Sequence, residues 1–220
     1  MNRREFSGVA AAGALAMAGL AVSHSASADS KPRDGKEFLT LDKVVPGDAP
    51  AGKIEVIEFF WYNCPHCNAF EPKLELWIPK LPKDVFFRRV PVAFRPEFQP
   101  QQRLFYTLEA LGKLDELHRK VFVTIHGDRQ PLQTDAQIAE WAEKQGLNKS
   151  KFAETYASFG VATKVRKAGQ LTADYQLQGV PSFGVAGRHY TDGTLSGSIE
   201  KAQATVEFLV AEARSGRKPA

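Results

Sequence analysis

Ile54-Glu55-Val56-Ile57-Glu58-Phe59-Phe60-Trp61-Tyr62-Asn63-Cys64-Pro65-His66-Cys67 is the stretch on which the fold turns. Its first nine residues, IEVIEFFWY, are rich in branched and aromatic side chains. Their length and composition predict a strand buried on both faces. Asn63 ends that run, and a helix is predicted to begin within Cys64-Pro65-His66-Cys67. Pro65 suits the first helical turn, where its missing N–H costs nothing. Phe70, Leu74 and Trp77 keep the helical period through about Ile78, with Pro72 as a kink. Residues 85–92, VFFRRVPV, predict a second strand. Strand, helix, strand in this order makes a βαβ unit with a parallel pair.

Working outward, residues 29–50 are polar and contain Pro and Gly, with Phe38 and Leu39 as anchors of an N-terminal arm that holds at most a short edge strand. From about Gln99 to Gln176 the pattern is helical throughout. Leu104, Leu108 and Leu111 share a face, as do Leu114, Leu117, Val121 and Ile125, then Ile138, Trp141 and Ala142. Phe152, Tyr156 and Phe159 follow, and residues 161–175 read as a further helix. Thr134 or Asp135 is the expected N-cap of the third of these helices. Strand character returns at 182–186 and 189–195, with Gly187 at the turn of a hairpin. Residues 198–214 close the chain as an amphipathic helix. The order is a βαβ half and a ββα half interrupted by a block of helices.

The chain opens on Arg3 and Arg4, an uncharged Ala/Gly-rich stretch at 8–22, and Ala26-Ser27-Ala28. These are the three parts of a secretory signal, with cleavage expected after Ala28. The apolar stretch is shorter than the roughly 17–25 residues of a membrane span. Asn2-Arg3-Arg4-Glu5-Phe6 resembles a twin-arginine signal, and an ordinary Sec signal with two arginines is the alternative. Removing residues 1–28 leaves 220 − 28 = 192 residues, which suits one domain or one domain with an insertion. The net charge of +4 is mild and scattered, so no nucleic-acid surface is expected.

Two cysteines in an exported chain normally suggest a structural bridge. Joining Cys64 to Cys67 closes a four-residue loop, for which chain entropy supplies roughly 2 kcal/mol, against about 4.7 for a loop of 100 residues. So local a bridge is better explained by chemistry than by folding. A thiolate performs disulfide exchange, and a helix N-terminus favours negative charge. Cys64 is expected there, with His66 adding positive charge or a hydrogen bond, and Cys67 deeper as the resolving sulfur. A Cys64 pKa of about 4 would favour the reduced form by roughly 4 kcal/mol at pH 7, on the order of 90 mV. Glu58 lies in an otherwise apolar strand, where burial should raise its pKa, unless it is a partly solvated strand-end carboxylate. A structural bridge or a CxxC metal-binding module is the alternative of another class, although His66 between the cysteines cannot easily close such a site. His118, His126 and His189 show no ligand spacing and read as surface or internally satisfied residues. Trp61 and Tyr62 belong either to a groove rim or to the core.

Residues 58–67 resemble the active-site region of the thioredoxin superfamily, and Cys-Pro-His-Cys in particular resembles that of DsbA-like thiol:disulfide oxidoreductases. The likeness continues at Gly179-Val180-Pro181, where that family places a cis-proline beside the redox pair, and covers essentially residues 50–215. It implies an α/β thioredoxin fold, a central mixed sheet flanked by helices, with an inserted all-helical domain. The implied divisions are 29–96 and 164–220 for the thioredoxin fold and 97–163 for the insertion. Cys64, Cys67, His66, Pro65 and Glu58 would be the catalytic group, Glu58 as a buried acid serving Cys67, and Val180 and Pro181 would offer backbone to an extended client. Glu71 matches a family acid but also reads as a helix-surface charge, and Pro72 matches the family's kink. The resemblance implies a periplasmic monomer with no cofactor beyond its redox-active disulfide. It would oxidise reduced exported proteins and be reoxidised by a DsbB-like membrane quinone reductase. An isomerase or reductase of the same superfamily is the competing activity.

Overall fold

The computed structural model describes residues 31–216, so the expected leader at 1–28 lies outside the described residues. The strand order among them is β1 (Leu39–Thr40), β5 (His189–Asp192), β4 (Ser182–Val185), β2 (Ile54–Phe60), β3 (Val85–Pro91). Only β2 and β3 run parallel, and the other neighbours are antiparallel. The βαβ unit forms as expected, its crossover being helix α1 (Pro65–Trp77). Pro72 sits inside α1.

The sheet is covered on both faces. Val56 of β2 and Phe183 and Val185 of β4 pack with Phe70, Leu74 and Trp77 of α1 and with Ala202, Val206, Leu209 and Val210 of α8 (Ile199–Ser215). Alternation along β2 sends Ile57 and Phe59 to the opposite face, into a larger core that runs on into the helical block. That block comprises α2 (Gln99–Ala110), α3 (Leu114–His126), α4 (Asp135–Lys144), α5 (Lys149–Tyr156) and α6 (Phe159–Asp174). Thr134 is the N-cap of α4, its hydroxyl accepting from the Gln137 N–H while the Gln137 side chain accepts from the Thr134 N–H. Helix α6 crosses the 163/164 division expected from sequence without a break, and Val161, Val165 and Ala168 on it share the large core.

Three expectations need correction. Leu39 is 41 % exposed, and the arm is instead anchored by Phe38, Leu41 and Val45. Phe159 does not continue the buried face of Phe152: it opens α6 after the Ser158 cap and is 80 % exposed. The last strand stops at Asp192, because its carboxylate accepts the Thr194 and Leu195 N–H groups at 2.8 Å and starts the short helix α7 (Gly193–Ser196). The hairpin loop is Ala186, Gly187 and Arg188, since Val185 pairs with His189, and its first two residues have positive φ. A side chain at Gly187 would collide with the Val45 carbonyl. No described helix is long and apolar enough to cross a membrane.

Candidate active site

Strand β2 delivers Asn63 and Cys64 to the N-terminus of α1, where Cys64 is the N-cap and Pro65 the first helical residue. Cys64 Sγ accepts the Cys67 N–H at 3.4 Å, so the sulfur occupies the place of a capping oxygen. Both cysteines are free thiols, Cys67 fully buried and Cys64 7 % exposed. A hydrogen bond from Cys67, opposed by burial and reinforced by the backbone N–H groups of Cys67 and His66, lowers the Cys64 pKa to about 6. The positive charge of His66 adds the smallest share. Burial, then the nearby Cys64 sulfur, pushes Cys67 well above an ordinary thiol. The two sulfurs are thus set apart in acidity, Cys64 the thiolate and Cys67 the thiol.

The Val180–Pro181 peptide bond is cis, and the Val180 carbonyl lies 3.4 Å from Cys64 Sγ. A groove of about 400 Å³ opens beside this pair, bounded by His66, Ala69 and Phe70 of the active-site helix and by Val180, Pro181 and Ile199 across from it. His66 itself is exposed.

Beneath the redox turn is a cluster that the sequence disclosed only in part. Glu58 is fully buried, not a solvated strand end. The parallel register sets it opposite Arg89 of β3, whose Nε donates to Glu58 Oε2 at 3.1 Å. The same guanidinium reaches Glu71, which is buried on α1 rather than displayed on its surface. His118 of α3 is buried too, its Nε2 3.3 Å from Glu71 Oε1 and its Nδ1 2.9 Å from the Tyr62 hydroxyl. Burial and the Glu71 charge together raise Glu58 to about 8, against the opposing pull of Arg89. Burial opposes ionisation of Glu71 as well, but His118 and Arg89 outweigh it and lower its pKa. Glu58 adds to the charges that keep Cys67 protonated.

Tyr62 is a core residue, and Trp61 is half-buried and stacked on Phe98 at 4.1 Å. His126 Nε2 donates to the Tyr62 carbonyl at 2.8 Å, and His189 pairs with Thr40 Oγ1 at 3.1 Å. Among the described residues no three His, Cys, Asp or Glu side chains are grouped to hold a metal. No local pattern in the sequence marks Arg89 for this site, and the spacing of His118 marks only a surface or internally satisfied residue. The one available hint was an arginine pair, Arg88-Arg89, inside a strand of otherwise apolar residues.

Once the two sulfurs are oxidised to a disulfide, the arrangement can accept two electrons from a dithiol, keep one sulfur as an anion and supply a proton to the other. Residues 55–204 match the model of the DSBA-like thioredoxin domain. The chain is 40 % identical over 192 residues to the thiol:disulfide interchange protein DsbA of Burkholderia cepacia, covering 87 % of this chain and 91 % of that one. It is 39 % identical over 184 residues to DsbA of Pseudomonas aeruginosa, covering 84 % and 87 %. Among solved structures, P. aeruginosa DsbA superposes with a TM-score of 0.78 at 38 % identity over 83 % of this chain and 94 % of that one. The oxidoreductase DsbA of Xylella fastidiosa gives 0.78 at 29 % identity, over 84 % and 100 %.

Proposed function

The chain belongs to the DsbA-like thioredoxin-domain family and is a dithiol–disulfide oxidoreductase, and from that premise we propose that it works as an oxidase of exported proteins. A client thiolate attacks Cys64 Sγ of the Cys64–Cys67 disulfide, the S–S bond breaks, and its electron pair leaves on Cys67. So basic a thiolate is a poor leaving group, and the carboxyl of Glu58, its pKa raised to about 8, supplies the proton that makes Cys67 a thiol. The client's second thiolate then attacks its own mixed-disulfide sulfur and displaces Cys64 as a stable anion. The client leaves oxidised by two electrons and the enzyme remains reduced.

Pro65 and His66 shape the turn that holds the Cys64 anion, and the backbone at Val180 and Pro181 aligns an extended client segment along the groove. In this reading residues 29–96 and 164–220 form the thioredoxin part and 97–163 the insertion. The Ala/Gly-rich leader directs a monomer to the periplasm, and a membrane quinone reductase of the DsbB kind restores a disulfide that needs no further cofactor.

One observation carries the direction of electron flow, the thiolate held at the cap of α1. With its pKa at about 6, Cys64 contributes about 1.4 kcal/mol to the reduced form at pH 7. That is about 30 mV for a two-electron couple, smaller than the shift a pKa of about 4 would give. Equilibration of the Cys64–Cys67 couple with glutathione tests the reading. A potential well above about −220 mV is expected, and one below it assigns the chain to the reductases.

A further inference from the structure

Two buried carboxylates share one guanidinium beneath Cys67. With both ionised, Glu58 and Glu71 carry two negative charges against the single positive charge of Arg89. An unbalanced buried charge is costly, so one of the two acids keeps a proton, and the surrounding donors decide which.

Those donors are unequally divided. Glu58 receives Arg89 Nε on Oε2, while its Oε1 has no partner. Glu71 Oε1 receives a terminal guanidinium nitrogen of Arg89, and its Oε2, like Glu58 Oε1, has no partner. What distinguishes Glu71 is His118 Nε2, 3.3 Å from Oε1, within ion-pair distance though outside hydrogen-bond geometry. The ring of His118 is fixed from its other side. Burial keeps the Tyr62 phenol protonated, so its hydroxyl, 2.9 Å from Nδ1, has a proton to donate to the tautomer that leaves Nδ1 bare. A ring accepting at Nδ1 carries its proton at Nε2, the ring nitrogen 3.3 Å from Glu71 Oε1. Burial keeps the ring itself from charging. The other charges acting on it are Glu75 of the active-site helix and Arg89. Phe60, Phe105 and Phe122 pack around it at 5.2, 5.9 and 5.4 Å between ring centres.

We propose that His118 is a positioning residue for the thiol–disulfide reaction: it directs Nε2–H at Glu71 from the helical block, keeps that carboxylate ionised, and so leaves the exchangeable proton on Glu58. This rests on the reading of Glu58 as the acid that serves Cys67. The proton passes from the Glu58 carboxyl to the Cys67 thiolate when the Cys64–Cys67 bond breaks. It returns when Cys67 gives it up on reoxidation. His118 and Glu71 neither gain nor lose a proton in the cycle. The helical block therefore contributes a group that acts on the acid–base chemistry of the redox pair without touching either sulfur.

The test follows the rate at which the full oxidised chain oxidises a dithiol peptide between pH 5 and 9, in the wild type, Glu58→Gln, His118→Leu, His118→Asn and His118→Gln. The wild type should show an inflection near pH 8 that Glu58→Gln lacks. Without the donor on Glu71, the proton spreads to Glu71 and the Glu58 inflection should move down by about one pH unit. That shift is expected in His118→Leu. It is equally expected in His118→Asn, which keeps a polar partner for Tyr62 but falls short of Glu71, and which carries the test should the Leu variant not fold. His118→Gln, whose amide reaches as far as Nε2, should return the inflection toward the wild-type position. An inflection that Glu58→Gln abolishes but neither His118→Leu nor His118→Asn moves overturns the role of His118 alone. One that survives in Glu58→Gln removes the Glu58 reading on which it rests.

Discussion

At the scale of single residues, two identical thiols three positions apart acquire opposite acidities because one caps a helix and the other lies inside it. Cys64 receives hydrogen bonds from Cys67 and from the first backbone N–H groups, and Cys67 receives burial and a neighbouring anion. The largest single contribution to Cys64 is the Cys67 hydrogen bond, not the charge of His66. Absorbance of the thiolate in the reduced protein should therefore titrate with a midpoint of about 6. Cys67→Ala should raise that midpoint by more than His66→Gln does, and the reverse order would show that His66 is the main support. The linkage follows in sign. A thiol whose folded pKa is depressed from 9.0 to about 6 stabilises the reduced fold fully above pH 9, and that stability is lost as pH falls toward 6. The denaturant stability of the reduced wild type relative to Cys64→Ala should accordingly rise across that window. A flat difference would mean that Cys64 titrates alike in the folded and unfolded chain.

At the scale of elements, what the sequence discloses is what neighbours along the chain decide. The run IEVIEFFWY, the proline at the start of α1 and the Thr134 cap are local. The proline and the cap appear where their patterns put them, and the strand forms over the first seven residues of its run, ending at Phe60. Phe159 lies where local spacing no longer decides burial. Its spacing from Phe152 and Tyr156 looks continuous, but Ala157 ends one helix, Ser158 caps the next, and the ring turns to solvent beneath Arg166. Phe159→Ala should thus cost less than about 1 kcal/mol, the scale of an exposed cation–π contact. Phe152→Ala empties a buried position and should cost about 3–5 kcal/mol in urea unfolding. Equal losses would place both rings in one core. The buried acid cluster was hidden for a different reason. Glu58, Glu71, Arg89 and His118 stand on four elements, and only the β2–β3 register and the docking of α3 against α1 bring them together. No spacing in one sequence encodes that meeting.

At the scale of the whole molecule, the question is whether the helical block is a separate unit or a part of one cooperative fold. Ile57, Phe59 and Val90 of the sheet lie in the same buried cluster as Leu104, Val121, Phe122, Ile138 and Trp141 of the block. The polar contacts repeat the connection, since His118, Arg119 and His126 of α3 all bond to the turn or helix that carries the cysteines. Helix α6 has no break where a division was expected. Pulling the block away would expose a continuous apolar surface and leave Glu71 with one fewer partner, so neither part should be stable for long without the other. Two tryptophans make this measurable. Trp141 reports on the block, its indole N–H held by Thr124, and Trp77 reports on the opposite face of the sheet, held by Glu207. In reduced variants that lack Trp61 and keep only one of the two, urea transitions followed by fluorescence should coincide with each other and with circular dichroism, as a single cooperative unit requires. Separate midpoints, with Trp141 melting first, would make the block an independent domain and weaken any coupling through His118.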